Sequence, residues 1–492
     1  MSLLLFRDRS LRRFWGRVRF ILLTFVLTAT SNARQVERPN VLLVLVDDLG
    51  KEWIGCYGAE EIQTPRIDEL AATGLMFDNF YSTPQCTPTR VTLLTGQYPF
   101  RHGWVNHWDV PRWGGGCSFD IDRNPSLGRL MQQAGYATAA AGKWQINDFR
   151  QEPQAMQQAG FDESCMWTGY EAENPPSAER YWHPYLHVNG HSRTYAGEFG
   201  PDVFVDFLIK FMERHQDEPM FLFYPMVLCH TPLVGTPTSP TVSEKLTKHR
   251  AMVRYVDRLT GQLIDALNRL GLRRKTVIVW TTDNGSARAI RGRRGGIEVA
   301  GGKGLTTESG VCVPLIVNWP GAISPGRRTD VLVDLTDLLP TFAELGGRID
   351  LVAENCDGRS FLSTILNEKS SSERRWIMAM GGRNEAQLSE HGVENRYWFR
   401  DRVVRNRRFK LYYGPDREVQ RFVDLTKDPE EATDLQESRD PATVRALGEL
   451  KQVADSFPDH DNDPRYEPLP YQPWFREPTV SSQVWKTGYP QN

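Results

Sequence analysis

The sequence lacks a long hydrophobic run, an excess of one charge and a repeated unit, and each absence removes a class of protein. Its 59 Lys and Arg residues nearly balance its 61 Asp and Glu residues, which gives a formal net charge of −2. Without a positive excess there is no general attraction to the nucleic-acid backbone, so nucleic acid is not predicted as a partner. No apolar stretch approaches the roughly 20 residues that span a bilayer, so no membrane span is predicted in the mature chain.

Cysteine is scarce and scattered. The seven cysteines are Cys56, Cys86, Cys117, Cys165, Cys229, Cys312 and Cys356. None lies in a Cys-x-x-Cys pair, so no structural zinc site is predicted. The number is odd, and reserving one cysteine for special chemistry leaves an even set that could pair in an oxidising compartment. The sequence does not give that pairing.

The N-terminus differs in composition from the rest of the chain. Arginines crowd the first 19 residues, the apolar segment Phe20–Thr30 follows, and Ser31–Ala33 offers small side chains for cleavage. This three-part pattern is typical of a secretory signal peptide, here assigned to residues 1–33. It predicts an exported protein, periplasmic or secreted. An uncleaved N-terminal anchor is the alternative interpretation.

Strands and helices alternate along most of the remaining chain. Asn40–Val46 and Thr276–Thr281 are continuous apolar runs, typical of strands buried on both faces. Between them, Ser243–Leu270 has apolar residues at helical spacing. The pattern predicts an α/β fold in which helices flank a large, mainly parallel sheet. Other predicted segments are helices Pro65–Ala72, Ser126–Ala134 and Pro201–His215, and strands Tyr136–Ala141, Met220–Leu228 and Pro314–Trp319.

The pattern changes after about residue 370. Short aromatic strand candidates at Tyr397–Phe399, Phe409–Tyr413 and Phe422–Asp424 are followed by a helix candidate at Pro441–Phe457. We therefore predict a main domain over residues 34–370. Residues 371–492 are assigned to a smaller C-terminal subdomain with an antiparallel sheet, and a tail.

Two polar pairs follow predicted strands. Asp47 and Asp48 end the first strand, and Asp283 and Asn284 follow the strand that begins at Thr276. Ligands of α/β sheets bind at the carboxyl ends of strands, and such oxygens suit Ca²⁺, with Mg²⁺ or Mn²⁺ also possible. Each pair alone is equally compatible with a simple turn. Their shared position at strand ends favours a metal site.

The segment Cys86–Arg90 (Cys-Thr-Pro-Thr-Arg) has the features of a helix start. Thr87 is predicted to cap a helix that begins at Pro88, which places Cys86 just before the positive end of the helix dipole. Arg90, one turn into the helix, adds a cation. The segment is suited to holding an anion against a nucleophile, but a structural cysteine beside a helix cap is equally compatible with the spacing.

These segments together resemble the type I sulfatases of the alkaline phosphatase superfamily. The resemblance covers residues 38–435 and includes, in family order, Val46–Leu49, Cys86–Arg90, Leu94–Gly103, Gly142–Trp144, His230–Pro232, Thr282–Gly285, Gly301–Gly304, Val313–Pro314, and Asp424–Leu425 with Asp428–Glu430. It implies a sulfatase domain over 34–370 that hydrolyses sulfate esters of a small molecule or glycan. It also implies that a formylglycine-generating enzyme converts Cys86 to formylglycine.

The resemblance further implies a mechanism. One hydroxyl of the hydrated formylglycine attacks sulfur, the alcohol leaves, and the second hydroxyl then helps to expel sulfate. The implied metal ligands are Asp47, Asp48, Asp283, Asn284 and the modified Cys86. The implied catalytic residues are Arg90, which steadies formylglycine and the carboxylates, Lys143 and Lys303, which contact sulfate oxygens, and His230, which acts at the ester oxygen.

The sequence departs from the family pattern at three positions. Gln145 replaces a usual histidine that assists the elimination step, and glutamine cannot act as a base near neutral pH. Thr89 stands where Ser or Ala is common, and Cys312 stands where Arg is common. The candidates to replace the missing histidine are His102 and His107.

Two segments are candidates for substrate recognition, together with Gln145. The aromatic loop that includes Trp104, Trp108 and Trp113 could stack on sugar rings or could be a packed structural loop. The basic stretch with Arg288 and Arg291 could bind further anionic groups of a sulfated carbohydrate or could be a solvated loop. Two other functions stay open: a phosphoester or phosphonate ester hydrolase of the same superfamily, and a glycan-binding protein that has lost turnover.

Overall fold

The computed structural model describes residues 38–105, 117–167, 180–368, 374–381, 386–389, 392–395 and 398–468. The predicted signal peptide, His107, Trp108 and Trp113 lie outside these residues. Within the described part, no helix combines the length and the apolar character needed to cross a bilayer.

The main body contains the first thirteen strands. They are β1 (Asn40–Val46), β2 (Leu75–Tyr81), β3 (Cys117–Phe119), β4 (Ala137–Lys143), β5 (Glu163–Trp167), β6 (Tyr185–Val188), β7 (His191–Thr194), β8 (Met220–Pro225), β9 (Thr276–Thr282), β10 (Arg291–Arg294), β11 (Ile297–Ala300), β12 (Leu315–Asn318) and β13 (Arg327–Asp334). The later strands are β14 (Ile377–Met380), β15 (Ala386–Ser389), β16 (Gly392–Asn395), β17 (Arg402–Arg405), β18 (Phe409–Tyr413), β19 (Val419–Asp424) and β20 (Tyr466–Pro468).

The helices are distributed between these strands. They are α1 (Pro65–Ala72), α2 (Cys86–Thr95), α3 (Pro99–His102), α4 (Leu127–Gln133), α5 (Ala155–Gln158), α6 (Gly200–Arg214), α7 (Lys245–Arg269), α8 (Glu308–Val311), α9 (Leu338–Leu345), α10 (Leu362–Leu366) and α11 (Pro441–Asp455). Short 3₁₀ turns cover Lys51–Trp53, Gly55–Tyr57, Arg273–Lys275, Leu335–Asp337 and Ile349–Leu351.

Ten strands form one mixed, mainly parallel sheet. Its order is β13-β2-β12-β9-β1-β8-β4-β5-β6-β7. The five central neighbours from β9 to β5 are all parallel to one another. Strand β12 runs antiparallel to both β9 and β2, so β2 has the same direction as the central strands. This confirms the predicted α/β fold with a mainly parallel sheet.

Strand β1 shows why its sequence is continuously apolar. Leu43 and Leu45 belong to the core on one face of the sheet, while Leu42 and Val44 belong to the core on the other. Because helices cover both faces, alternate side chains must all be apolar. The amphipathic helix α7 covers one of these faces, with Met252 and its neighbours at helical spacing buried in the second core.

The C-terminal part contains a four-stranded antiparallel sheet in the order β14-β17-β18-β19. Its core joins Phe409, Leu411 and Phe422 to Ala446 and Leu450 of α11. The predicted small antiparallel sheet is therefore confirmed. The described residues from Arg38 onward cluster as one compact unit, and the boundary near residue 370 stays a prediction.

Several predicted elements differ from the structure in detail. The candidate strand at Tyr397–Phe399 is wrong over its described residues: Trp398 and Phe399 are outside any strand, and the nearest strand is β17. Strand β8 ends at Pro225, well before the predicted Leu228, because proline has no N–H to continue the ladder. The predicted Pro314–Trp319 strand is β12, but it is antiparallel to its neighbours.

Candidate active site

Four neighbouring parallel strands each deliver polar residues to the same edge of the sheet. In the order β9, β1, β8, β4, these are Asp283 and Asn284, Asp47 and Asp48, His230, and Lys143. The backbone links two of these positions, since Asp47 N–H donates to the carbonyl of Leu228 at 2.8 Å and Cys229 N–H donates to the carbonyl of Asp47. The side chains therefore converge because the carboxyl ends of parallel strands coincide.

Three buried carboxylates lie close enough together to share a metal ion. One oxygen each of Asp47, Asp48 and Asp283 lies within 4.8 Å of the others. Asp47 Oδ1 and Asn284 Oδ1 are buried and have no hydrogen-bond partner among the described residues. Buried acceptors of this kind are unfavourable unless a ligand satisfies them, so this set of hard oxygens fits a divalent cation.

The pKa values of two of these carboxyl groups are displaced in opposite directions. Burial would raise the pKa of Asp47, but the charges of Lys143 and its other cationic neighbours hold it well below its usual value. Burial and the negative charge of Asp47 raise the pKa of Asp283. The cations present thus balance only part of the carboxylate charge, and a bound divalent ion would favour the ionised form of the whole set.

Three predicted cationic side chains pair with these carboxylates. Arg90 Nη2 lies 3.0 Å from Asp283 Oδ2, and Lys143 Nζ lies 2.7 Å from Asp47 Oδ2. Lys303 Nζ lies 2.6 Å from Asp48 Oδ1. Burial lowers the pKa of Lys303, but Asp48 and the other nearby anions outweigh it and raise that pKa overall, so the ammonium form is favoured.

Cys86 lies inside this cluster. Its Sγ, an oxygen of Asp47 and a ring nitrogen of His230 are mutually within 4.8 Å. The predicted capping is wrong: α2 begins at Cys86 itself, and Thr87 is its second residue, with an Oγ1 that has no partner among the described residues. Cys86 therefore occupies the first turn of a buried helix, still at the positive end of its dipole.

Thr89 joins α2 to the carboxylate cluster. Its Oγ1 donates to the Asp283 carbonyl at 2.7 Å and lies 2.6 Å from Thr83 Oγ1. The hydroxyl therefore holds the helix start against the end of β9. Serine would supply the same hydrogen bond.

His230 is held with one ring nitrogen toward the site. Its Nδ1 lies 2.6 Å from the Thr231 carbonyl, and its Nε2 lies 3.9 Å from Asp48 Oδ2. Burial, followed by the charge of Lys303, lowers the pKa of His230 well below the usual value for histidine. The neutral ring thus carries its proton on Nδ1, which donates to the carbonyl, and its Nε2 faces Asp48.

Gln145 and His102, one of the candidates to replace the missing histidine, have different surroundings. Gln145 follows Lys143 and Trp144 at the end of β4, in a left-handed backbone conformation with φ of 76°. His102 is buried between Thr92 Oγ1 and the Trp104 N–H, each at 3.0 Å. Its hydrogen-bonding capacity is used in packing α2 against α3.

Trp104 is also fully buried, and its Nε1 donates to the Arg465 carbonyl at 3.2 Å. Its ring packs against Phe119, so a sugar has no access to it.

Of the two arginines predicted to contact substrate, one lies beside the cluster of site residues and the other lies on a separate hairpin. Arg288 is exposed, and its Nε donates to the Lys303 carbonyl at 3.0 Å, which places it at the edge of the site. Arg291 lies on the β10–β11 hairpin, where its Nη1 pairs with Glu298 at 2.8 Å. The structure therefore places Arg288, rather than Arg291, beside a residue of the cluster.

The structure adds one residue that the sequence did not indicate. Arg180 is buried, and its Nη1 lies 3.9 Å from Asp47 Oδ2. Its guanidinium stacks on the Trp167 ring at 3.9 Å from the centroid, above the end of β5. No motif marks Arg180 in the sequence, and its neighbourhood depends on the adjacency of β5 and β4, which only the sheet order reveals.

The six cysteines whose side chains the structure describes are free thiols. They are Cys56, Cys86, Cys165, Cys229, Cys312 and Cys356. No disulfide therefore forms among them. Burial raises the pKa of Cys165 to about 12 and that of Cys229 well above its usual value, so these thiols are unreactive.

Comparison with known proteins agrees with this geometry. Residues 39–348 match the family model described as Sulfatase, and residues 302–454 match that described as N-sulphoglucosamine sulphohydrolase, C-terminal. Arylsulfatase A of Homo sapiens is 32% identical over 358 residues, which cover 66% of this chain and 67% of the relative. N-acetylgalactosamine-6-sulfatase of Canis lupus familiaris is 29% identical over 371 residues, which cover 70% and 69%.

Solved structures share the architecture over more of the chain. The crystal structure of Ps i-CgsB has a TM-score of 0.72 and 25% identity, and the match covers 92% of this chain and 97% of that one. Its complex with k-i-k-neocarrahexaose has a TM-score of 0.70 at 25% identity, covering 88% and 95%. Because the Sulfatase family model matches more than half of the chain, the chain belongs to the type I sulfatase family and is a sulfuric ester hydrolase.

Proposed function

We propose that the protein removes sulfate from a sulfated carbohydrate, using a formylglycine made from Cys86 and a bound divalent metal. The observation that carries this proposal is the convergence of Asp47, Asp48 and Asp283 around the first turn of α2, with the Cys86 thiol within 4.8 Å of Asp47 and His230. A nucleophile beside a hard-cation site is the arrangement that sulfate-ester cleavage needs.

The metal would be held by Asp47, Asp48, Asp283 and Asn284, together with the modified Cys86. Two of these side chains present buried oxygens that have no hydrogen-bond partner among the described residues, which supports a cation there. Bound metal would polarise the sulfate and favour the nucleophilic form of the formylglycine hydrate. Ca²⁺ is proposed because all four protein ligands are oxygen donors, and Mg²⁺ and Mn²⁺ use the same donors.

The surrounding cations would bind the three non-bridging oxygens of the sulfate. Lys143 and Lys303 are each oriented by an ion pair, to Asp47 at 2.7 Å and to Asp48 at 2.6 Å. Fixed positive charge in a buried site stabilises negative charge that develops in the transition state. His230, with Nδ1–H donated to a carbonyl, directs Nε2 into the same space and is assigned to the leaving oxygen, together with Lys303.

Arg90 would hold the nucleophile and the metal ligands in position relative to one another. Its Nη1 donates to the Lys143 carbonyl at 2.5 Å and its Nη2 to Asp283 at 3.0 Å. One guanidinium therefore joins α2, β4 and β9. Because it is buried and bidentate, lysine could not replace it without losing one of these bonds.

A carbohydrate is favoured over a simple aryl sulfate by two features. Arg288 stands at the rim beside Lys303 and is free to meet a second anionic group outside the reaction centre. The names of two similar proteins also point in this direction: an N-acetylgalactosamine-6-sulfatase, and Ps i-CgsB in complex with k-i-k-neocarrahexaose. The N-terminal sequence supports export to the periplasm or outside the cell.

The proposal is tested by co-expressing the chain with a formylglycine-generating enzyme and analysing the peptide that contains Cys86 by mass spectrometry. We expect an aldehyde in place of the thiol, and sulfate release from sulfated saccharides in the presence of Ca²⁺. The Cys86→Ala variant should fold and release none. An unmodified thiol, in a host that converts a control sulfatase, would contradict the formylglycine mechanism.

Phosphate esters assayed beside sulfate esters test the reaction class. A sulfatase should release sulfate with a kcat/KM well above that for the matching phosphate ester. Faster phosphate release would favour a phosphoesterase, and saccharide binding without release of either anion would favour a binding protein.

A further inference from the structure

Arg180 is a buried cation in which two of the three guanidinium nitrogens have no hydrogen-bond partner in the described part of the chain. Its side chain is 2% exposed, and its Nε and Nη1 have no hydrogen-bond partner among the described residues. The closest carboxylate oxygen, Asp47 Oδ2, lies 3.9 Å from Nη1, which is beyond hydrogen-bond distance. A buried guanidinium with unmet N–H groups is unfavourable unless a ligand supplies acceptors.

The orientation of Arg180 is fixed from two sides. Its guanidinium lies 3.9 Å from the centroid of the Trp167 ring, which holds the group from one face while leaving its N–H bonds available at the edge. The next residue, Tyr181, donates its hydroxyl to the carbonyls of Val227 and His230 at 2.8 and 2.6 Å. The backbone of Arg180 is thereby anchored to the segment that presents His230.

These contacts place Arg180 near Lys143 and near the segment that presents His230. The Nζ of Lys143 lies 2.7 Å from the same Asp47 oxygen that Arg180 approaches. Two cations thus converge on one carboxylate whose other oxygen, Oδ1, is free for a metal. Lys143 is one of the residues assigned to the sulfate of the substrate, so Arg180 lies beside a proposed sulfate-binding cation.

We propose that Arg180 is a substrate-binding residue whose Nη1–H groups donate hydrogen bonds to oxygens of the sulfate group that the enzyme removes. The guanidinium is permanently charged and holds its donors in a fixed plane, which suits an oxyanion better than a freely rotating ammonium group does. This inference rests on the proposed function, because it assigns the ligand of that site.

The sequence of this chain gives a reason for the extra cation. Gln145, at the end of β4, can donate a hydrogen bond but cannot carry positive charge. Arg180, which stacks on Trp167 at the end of the neighbouring strand β5, supplies a permanent positive charge beside Asp47. It would hold the sulfate and stabilise its charge without taking part in proton transfer, since arginine stays protonated.

Binding of inorganic sulfate tests the proposal without requiring turnover. Calorimetry of the Ca²⁺-loaded protein would compare the wild type with Arg180→Ala, Arg180→Lys and the control Arg193→Ala. Arg193 also stacks on an aromatic ring, that of Tyr195 at 4.5 Å, but lies on β7 at the far edge of the sheet. Tm and circular dichroism would confirm that each variant is folded.

We expect the Kd for sulfate to rise at least about tenfold in Arg180→Ala, which is the loss of one charge-assisted interaction. Arg180→Lys should be intermediate, since it keeps the charge without the planar guanidinium, and Arg193→Ala should match the wild type. Arg180→Lys carries the test alone if the alanine variant does not fold. Sulfate affinity equal to wild type in a folded Arg180 variant, or no sulfate binding by the wild type, would overturn the proposal.

The two proposals fail in different ways. An unconverted Cys86 or an absence of sulfate release would contradict the proposed function, while sulfate binding that depends on Arg180 would still support an anion site at this position. Normal sulfate release by a folded Arg180→Ala protein, with unchanged kcat and KM, would overturn the role of Arg180 and leave the proposed function intact.

Discussion

The side-chain oxygens of the site bind either a cation of the protein or, we propose, the metal. Asp47 Oδ2 accepts a hydrogen bond from Lys143, and Asp47 Oδ1 has no partner among the described residues. Asn284 donates its amide N–H to Asp48, and its own oxygen likewise has no described partner. The sequence could place Asp47 and Asn284 at strand ends, but which oxygen faces which partner depends on side-chain rotamers. That division could not be read from spacing.

A second residue-scale feature is the buried side chain of His249. Its ring packs edge-on against Trp53 with centroids 4.5 Å apart, and neither ring nitrogen has a hydrogen-bond partner among the described residues. Burial, with a smaller contribution from Arg250, lowers the pKa of His249 to about 3. The unfolded chain therefore binds a proton at this residue between about pH 3 and pH 6.5, where the folded protein does not.

His249 should consequently make the protein less stable as the pH falls through that window. We expect His249→Phe to remove this loss, so that its free energy of unfolding exceeds that of the wild type by an amount that grows from pH 7 to pH 5. The difference in free energy of unfolding between the variant and the wild type should grow by at most about 2 kcal/mol. Urea unfolding at several pH values measures it.

His191→Phe is the matched control, because His191 is an exposed residue of β7. Its stability curve should run parallel to that of the wild type. If His249→Phe also ran parallel to the wild type, burial of the neutral ring would not be a source of acid sensitivity.

At the scale of elements, the close approach of β4 and β8 positions Lys143. Gly142 has φ of 131°, and a Cβ there would lie 2.0 Å from the Pro225 carbonyl oxygen. We expect Gly142→Ala to push the end of β4 away from β8, to separate Lys143 from Asp47 and to lower both Tm and kcat/KM. The activity loss should exceed the loss expected from the fraction unfolded at the assay temperature.

Gly448→Ala is the control of opposite sign. Gly448 lies within α11, and a Cβ there would meet nothing within 4 Å. Alanine should stabilise the helix by about 0.5–1 kcal/mol and leave kcat/KM unchanged. Equal responses of the two glycine variants would show that the contact between β4 and β8 does not position the site.

The predictability of each element follows from how local its determinants are. Strand β1 and helix α1 were predicted with their observed bounds, because a continuous apolar run and a Pro-initiated amphipathic segment are local signals. Strands β2 and β13 were not predicted. In β13 only the last residues are buried, and its N-terminal half, Arg327–Asp330, is polar and partly exposed, so its pairing with β2 is a tertiary effect.

The candidate site was predictable for the same reason wherever a strand end supplied the residue. Asp47 and Asp283 follow strands that their own sequences define, whereas Lys143, the last residue of β4, was indicated only by the family resemblance. Placing Arg180 in the site requires the order of the strands in the sheet. Choosing Arg288 over Arg291 requires the path of the loop that carries Lys303. Trp104 was assigned to substrate from its residue type, but an indole buried against Phe119 has the same sequence signature as an exposed one.

At the scale of the whole molecule, a bound metal should stabilise the fold as well as the site. Asp47, Asp48 and Asp283 come from two strands of the central sheet and are all buried. Removing the metal with a chelator leaves these charges to repel one another, so we expect a lower Tm that added Ca²⁺ restores. Free metal at 100 times its Kd contributes about 2.7 kcal/mol.

Thermal denaturation with Ca²⁺, Mg²⁺ or Mn²⁺ after chelation would identify the metal that binds best. The Asp283→Ala variant should have lost most of the response to metal. A wild-type Tm that is insensitive to both chelator and metals would rule out a structural contribution from this site.

The C-terminal sheet is joined to the main sheet by a buried ion network around Lys410. Its Nζ lies 3.0 Å from Glu308 Oε1 of α8 and 2.7 Å from Glu431 Oε1, and its side chain is fully buried. Arg405 of β17 contacts the other oxygen of Glu308 at 2.8 Å. Helix α8 follows the loop that carries Lys303, so this network is connected to that loop through α8.

Lys410→Met should therefore destabilise the protein by about 3–5 kcal/mol, because it leaves two buried carboxylates short of a cation. Lys451→Met removes an exposed partner of Asp455 and should cost less than about 1 kcal/mol. Urea unfolding distinguishes the two, and a Lys410→Met/Glu431→Gln double variant should recover part of the loss because the charge left unpaired is then removed. If Lys410→Met lowered stability no more than Lys451→Met, the two sheets would be held together by their apolar contacts, and the loop that carries Lys303 would not depend on the C-terminal sheet.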